Sequence, residues 1–449
     1  MNSNPHKSLG FSVEMSNPNE NILIHKGKFI IKNDVKSIVI DGTISFKWFP
    51  STGVYFEGLT TEEPYIINDF GELGYLQLYI EELFFGECFI STYNLNKSND
   101  NQLLISGVLT SKSILGDNSI SVERVKFSIP NMKLFFGKYL KTKNELSSNK
   151  LTFKADRYTI VIDKTTNAAE NFKKLKKIGG YYNTYAGILT KKDGTITLEE
   201  VQDILYCFNN FISILNGRRV STLFLKGEKN GNEIWTDFTI YSVESYKDVE
   251  NWTYSHPEVN YTILFNRFYD LWKNGDDRNF LEALTGWYLE VNNGFLNIEA
   301  SIVKGQIALE LLYNWLLVEK NELQQEKLAV GKIRALLTHL KVDSSAPTNF
   351  KSLQEYIKDN RDITDAPDSI VRIRNAIVHS QLKKRQKISA LATNVKLEAL
   401  HLTIWYIELA IMFILEYDGL YINRCKAVGW ANDMKELVPW SKNNGFTKP

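Results

Sequence analysis

The sequence predicts an α+β multidomain protein. A β-rich N-terminal domain of sandwich or barrel type with an α+β extension precedes an all-α helical bundle at the C-terminal end. Three observations carry this reading. Up to about residue 165 apolar and polar residues alternate with period two, as in Ile44-Ser-Phe-Lys-Trp48. From about 257 to 418 the apolar residues recur at helical spacing. Between the two, near 246–257, the composition shifts.

The first strands follow from the alternation. Ile44 to Trp48 comes after Asp41-Gly42, which reads as a turn pair, and Ile120-Ser-Val-Glu-Arg-Val-Lys-Phe-Ser128 comes close to the same pattern. A sub-boundary is expected near 165. Thr197-Leu-Glu-Glu200 then reads as a capping box, with Thr197 capping and Glu200 reaching back. Leu198, Val201, Leu205, Phe208, Ile212 and Leu215 continue that helix to Asn216-Gly217. Val220 to Lys226 and Glu233 to Tyr241 read as a hairpin joined through Asn230-Gly231. The first domain is therefore placed at 1–245, the helical one at 257–425 and a tail at 426–449. Helices are expected at roughly 257–274, 277–291, 295–320, 323–341, 350–359, 367–380 and 389–417. The third has the clearest stripe, from Ile298 through Ile302, Val303, Ile307, Leu311 and Leu312 to Trp315.

Bulk properties exclude little. The 449 residues give ample core, and 53 Lys and Arg against 52 Asp and Glu leave a net charge of +1. A nucleic-acid role must therefore rest on a local patch. Cys88, Cys207 and Cys425 are scattered, forming neither a disulfide framework nor a metal-ligand cluster. The N-terminus lacks the apolar core of a secretion signal. The apolar helix around Leu400 to Leu415 is interrupted by His401 and Glu408 and reads as a buried helix. The expectation is a cytoplasmic protein with no membrane span, no cofactor and no metal.

The most informative stretch is Val371-Arg-Ile-Arg-Asn-Ala-Ile-Val-His-Ser380. Arginine is permanently charged and forks onto phosphate, while histidine moves protons near neutral pH. Arg374 and His379 in an Arg-x-x-x-x-His pattern point to metal-free phosphodiester cleavage. The bare pattern is unspecific, because Arg334-Ala-Leu-Leu-Thr-His339 matches it equally well. Polar Asn375 follows Arg374, whereas apolar Ala335 follows Arg334. On an ideal helix Arg374 and His379 lie about 140° apart and about 7.5 Å along the axis. Asn375 and His379, four apart, would share a face, so the amide could orient the imidazole. A site completed by a second copy of the same helix is the simplest expectation.

The segment Arg374-Asn-Ala-Ile-Val-His379, late in an all-α domain, resembles the signature of the HEPN superfamily, whose active members are metal-independent ribonucleases. Gln306-Ile-Ala-Leu-Glu310 and Tyr421-Ile-Asn-Arg424 look like the ApeA-like anti-phage branch, which places a β-rich domain ahead of a HEPN bundle. Ile44-Ser-Phe-Lys-Trp-Phe-Pro50 and Gly217-Arg-Arg-Val220 are similar to features of that branch's N-terminal region. The resemblance implies that Arg374 holds the scissile phosphate and that His379 acts as base on the ribose 2′-hydroxyl or as acid on the leaving 5′-oxygen. Asn375 would position one of them. It also implies products ending in 2′,3′-cyclic phosphate and 5′-hydroxyl, RNA as substrate, a homodimer through the helical domain, and a phage-derived trigger at the N-terminal domain.

Other residues carry weaker expectations. Lys383, Lys384, Arg385 and Lys387 would draw a polyanion toward the helix end, or simply form a solvated loop. Arg372 contacts phosphate or serves the surface. Glu310 supports the site or sits on the polar edge of its helix. His339 and His401 read as packing residues. Lys173-Lys-Leu-Lys-Lys177 before Gly179-Gly-Tyr-Tyr182 combines charge and aromatics as single-strand binders do, though basic loops before a turn are common. The competing function is a non-catalytic dimerisation or ligand-binding protein with a β-rich recognition domain.

Overall fold

The computed structural model describes residues 9–62, 76–95, 102–135, 138–141, 146–164, 168–253, 261–294, 297–379, 381–426 and 434–442. The chain forms two compact units, one of Met1–Asn209 with Val220–Asp248, the other of Asn210–Arg219 with Val249–Pro449. The division at Asp248 falls inside the stretch where composition shifts. Residues Asn210–Arg219, expected with the first domain, belong to the second unit.

The first unit opens with a closed barrel. Strands β1 (Ile22–Lys32), β2 (Ser37–Lys47), β3 (Gly53–Thr60), β4 (Leu76–Ile80), β5 (Leu83–Leu95) and β6 (Leu103–Leu109) run in the order β1-β2-β3-β6-β5-β4. Pairing of Ile30 with Tyr79 and Ile31 with Leu78 closes it. The alternation decides the faces: Ile44, Phe46 and Trp48 are buried while Ser45 and Lys47 are partly exposed. Asp41-Gly42 is not a turn. Both residues lie inside β2, where Gly42 faces Gly27 on one side and Gly58 on the other. A Cβ at Gly42 would collide with the Glu57 backbone, so this glycine serves close strand approach.

An eight-stranded sheet follows, comprising β7 (Ile114–Gly116), β8 (Arg124–Pro130), β9 (Lys138–Lys141), β10 (Leu146–Ala155), β11 (Tyr158–Lys164), β12 (Asn183–Lys191), β13 (Leu223–Lys229) and β14 (Asn232–Asp237). Its order is β7-β14-β13-β8-β12-β11-β10-β9. The strand expected over 120–128 therefore begins later, at Arg124. The sub-boundary expected near 165 lies within this sheet, since β11 pairs with β12 from Tyr158–Lys191 to Lys164–Tyr185. The change of sheet comes between Leu109 and Ile114. Period-two alternation is the same in either sheet, so it does not reveal membership.

Helix α1 (Ala168–Ile178) connects β11 to β12, and α2 (Leu198–Asn216) follows β12. The capping box forms as read: Glu200 N–H donates to Thr197 Oγ1 at 3.2 Å and Thr197 N–H to Glu200 Oε2 at 3.1 Å. Asn230 and Gly231 both take positive φ, 51° and 81°, at the β13–β14 turn.

The second unit is built on α3 (Tyr261–Trp272), α4 (Gly275–Asn292), α5 (Ile298–Tyr313), α6 (Ala329–His339), α7 (Lys351–Asp359), α8 (Ala366–Val378), α9 (Leu382–Ala390) and α10 (Thr393–Ile414). A π-helical stretch, Asn314–Glu319, continues α5 to the expected end near 320. Helix α5 is central and packs against α4, α6, α8 and α10. The helix expected over 389–417 is preceded by a separate one. Leu391 and Ala392 are extended, with ψ of 126° and 138°, and split α9 from α10. Residues 434–442 are not a tail. Lys435–Leu437 (β16) pairs with Leu420–Ile422 (β15), Val438 is buried, and Trp440 Nε1 donates to Tyr417 O at 2.8 Å.

Helix α10 is long and apolar enough to cross a membrane by length and composition alone, yet 67% of its apolar window is buried inside the fold. It also carries a buried ion pair. Arg424 donates to Glu408 through Nε at 2.9 Å and Nη2 at 2.6 Å, and through Nη2 also to Asn292 Oδ1 at 2.8 Å. Tyr288 donates to the same carboxylate at 3.0 Å. Asn292 Nδ2 donates to the carbonyls of Gly217 and Glu250. Removing one partner of such a pair strands a buried charge. Arg424→Ala is expected to lower unfolding free energy by about 3–5 kcal/mol in urea titrations, with Glu408→Met/Arg424→Met losing less. A loss below about 1 kcal/mol for Arg424→Ala would contradict this role.

Candidate functional site

The candidate site lies at the C-terminal end of α8. Its N-terminal end is anchored: Asp365 caps the Asp368 N–H at 2.9 Å, and Pro367 sits in the first turn. Arg334 holds that cap, donating to Asp365 through Nε at 2.7 Å and Nη2 at 3.1 Å. The guanidinium of the duplicate Arg-x-x-x-x-His pattern is thus a structural brace. Its partner His339 packs edge-on against Phe413 at 5.1 Å, and burial holds its imidazole below the usual range.

Arg372 is also committed. It donates to Asp368 at 3.0 Å and to the carboxylate and carbonyl of Asp362. A phosphate would have to displace two aspartates, so the expected substrate contact at Arg372 is replaced by an ion-pair role. Glu310 is likewise engaged elsewhere, accepting from Lys332 at 3.0 Å and from Gln306 at 3.2 Å. It supports that lysine rather than the arginine–histidine pair.

Arg374 differs. Among the described residues no carboxylate pairs with it; Nη1 donates to Asn375 Oδ1 at 3.0 Å, and Nε is buried without a partner. Asn375 therefore orients the arginine, one of the two residues it was expected to position; among the described residues no side-chain hydrogen bond joins its amide to the imidazole. His379 stands one residue beyond the helix, exposed, with φ −88° and ψ 51°. Its backbone N–H donates to the Asn375 carbonyl at 3.0 Å. The ideal-helix angle does not apply to it, because the chain leaves the helix there. Lys383, Lys384, Arg385 and Lys387 lie on α9 rather than in a loop, and their side chains fall outside the described residues.

Sequence reasoning missed Gln306 as an individual residue. It is buried on α5, which packs against α8, and its Oε1 has no partner among the described residues. The only signal was its four-residue spacing from Glu310. Tyr421-Ile-Asn-Arg424 proves to be structural. Tyr421 and Asn423 both donate to Glu436, and Arg424 pairs with Glu408. Among the described residues no group of three or more His, Cys, Asp or Glu is placed to hold a metal ion.

His401, beside Glu250 at 3.8 Å, is held below the usual range by burial and then by the Arg424 charge. Below about pH 6.5 the unfolded chain protonates these two histidines while the native state resists, so stability falls with pH in that window. In urea titrations across pH 7.5 to 5, His339→Leu is expected to flatten part of that loss. An unchanged slope would show that His339 protonates freely in the fold.

Residues 274–436 match the profile of a family described as the YopA C-terminal domain, and residues 117–249 one described as the YopA central domain. Over 444 residues the chain is 26% identical to the SPbeta prophage-derived uncharacterized protein YopA of Bacillus subtilis (strain 168), covering 94% of this chain and 95% of that protein. No solved structure matches the chain.

Proposed function

We propose that this chain is a metal-independent endoribonuclease effector of anti-phage defence whose helical unit is a HEPN-type domain. One observation carries the reading. Of the three arginines Arg334, Arg372 and Arg374, only the last has no carboxylate partner among the described residues, and an exposed histidine closes the same helix. A guanidinium held by an amide, with donors to spare, suits a phosphate group.

In the reaction, Arg374 binds the scissile phosphate and offsets the charge of its pentacoordinate state. His379 takes the proton of the ribose 2′-hydroxyl as that oxygen attacks phosphorus, or gives one to the departing 5′-oxygen. The bond to the 5′-oxygen breaks, leaving a 2′,3′-cyclic phosphate and a 5′-hydroxyl. One chain supplies a single arginine and histidine, so a homodimer supplies the second pair. Val378 and Leu382, exposed at 45% and 63% on either side of His379, offer apolar surface for that contact. The β-rich unit would sense a phage-derived trigger in the cytoplasm. A relative described as prophage-derived fits such a role, because a resident phage gains from proteins that act against competitors.

The alternative, a non-catalytic dimerisation or ligand-binding module, is favoured by the half-buried position of Arg374 against the exposed one of His379. Cleavage assays separate the two. In EDTA, wild-type protein is expected to cut RNA, with Arg374→Ala and His379→Ala each reducing the rate at least about 100-fold and Arg372→Ala changing it little. Parental rates for His379→Ala, or complete inertness of the wild type with infected-cell extract added, would favour the alternative.

A further inference from the structure

The basic run Lys173 to Lys177 lies on α1, not in a loop. Leu175 faces inward and is buried. Lys173 and Lys177, four residues apart, share the outward face. The neighbouring lysines are occupied, Lys174 with Glu170 at 3.3 Å and Lys176 with Asp248 at 3.2 Å. Lys173 and Lys177 are exposed and have no carboxylate partner among the described residues. Local acids are thus partly neutralised, while two cations face water.

An aromatic ring stands beside this helix end. Asn19 Nδ2 donates to Gly179 O at 3.3 Å, and Trp48 Nε1 donates to Glu20 O at 3.0 Å, which clamps the end of α1 to the end of β2. Tyr181 stacks on Trp48 at 4.7 Å and touches Phe49 at 5.8 Å. Phe49 itself is 52% exposed and Ile178 60%. Through Tyr181 the exposed Phe49 ring is tied to the segment that leaves α1, three residues after its last residue, Ile178, so the ring and the lysine pair belong to one clamped region.

We infer that the C-terminal end of α1, with Lys173 and Lys177, and the Phe49 ring together form a docking surface for single-stranded RNA. The lysines take backbone phosphates and Phe49 stacks on a base. The choice of RNA rests on the reading of the helical unit as an RNA-cutting one; the surface chemistry itself asks for an unpaired polyanion with flat bases.

Binding of the full chain to a fluorescent, fully 2′-O-methylated 20-nucleotide single strand tests this, because that probe cannot be cleaved through its 2′-oxygen. Lys173→Glu/Lys177→Glu is expected to weaken binding at least tenfold and to flatten the log-affinity against log-salt slope by about 1.4, two phosphates at about 0.7 each. Phe49→Ala is expected to weaken it about fivefold or more. Lys192→Glu/Lys351→Glu, with the same charge change at other exposed positions, should bind like the wild type. Equal losses in that control, unchanged affinity for Phe49→Ala, or binding to phosphatidylserine vesicles without binding to the strand would each overturn the inference. Tight binding by a protein that cuts no unmodified RNA would leave this surface standing and remove the nuclease reading alone.

Discussion

The second unit depends on a buried charge pair. Glu408 sits in the apolar second half of α10, and among the described residues its carboxylate is reached by Arg424 and Tyr288. Burying a lone carboxylate is costly, so α10 keeps this position only while the strand after it folds back to deliver the guanidinium. Arg424 in turn reaches Asn292 at the end of α4. One ion pair therefore joins α4, α10 and the β15–β16 end of the chain. Helix α5 packs between α4 and α10, and α8 packs on α5. The candidate site is carried by the last member of that series.

Helix α8 illustrates how identical side chains acquire different work. Arg334 braces the cap at one end and Arg372 is held by Asp362 and Asp368 midway. Arg374, two residues on, meets an amide and, among the described residues, no carboxylate. The difference lies in what the surrounding sequence supplies. Asp365, Asp368 and Asp362 cluster near the helix start, where carboxylates also complement the helix dipole. No acid occurs from Ser369 to His379, so the C-terminal turns retain uncompensated positive charge.

Much of the architecture was legible because it rests on local chemistry. Thr197 and Glu200, and Asn230 and Gly231, depend on neighbours in sequence, and each forms as read. The α5 stripe does so only in part, with Ile302, Leu312 and Trp315 buried but Ile307 exposed and the buried face running instead through Gln306, Ala308 and Leu309. What escaped was non-local. Asp41-Gly42 looks like a turn but is a strand segment, because the decisive fact is the approach of Gly58 across the barrel. The docking of 434–442 was hidden for the same reason, since its partners Tyr417 and Tyr421 lie upstream. At the site, residue types were legible and their partners were not. Nothing in the spacing shows that Asn375 turns to Arg374, or that Glu310 is taken by Lys332.

The proposed chemistry makes the ribose 2′-oxygen the nucleophile, and this can be probed at a single atom. Once a cut site is mapped, the same RNA is prepared with a 2′-deoxy sugar only at the nucleotide 5′ to the scissile bond. Cleavage there should disappear while other sites are cut at the original rate. Continued cutting at the modified position would show that water or another nucleophile attacks, and the roles assigned to Arg374 and His379 would fall with it.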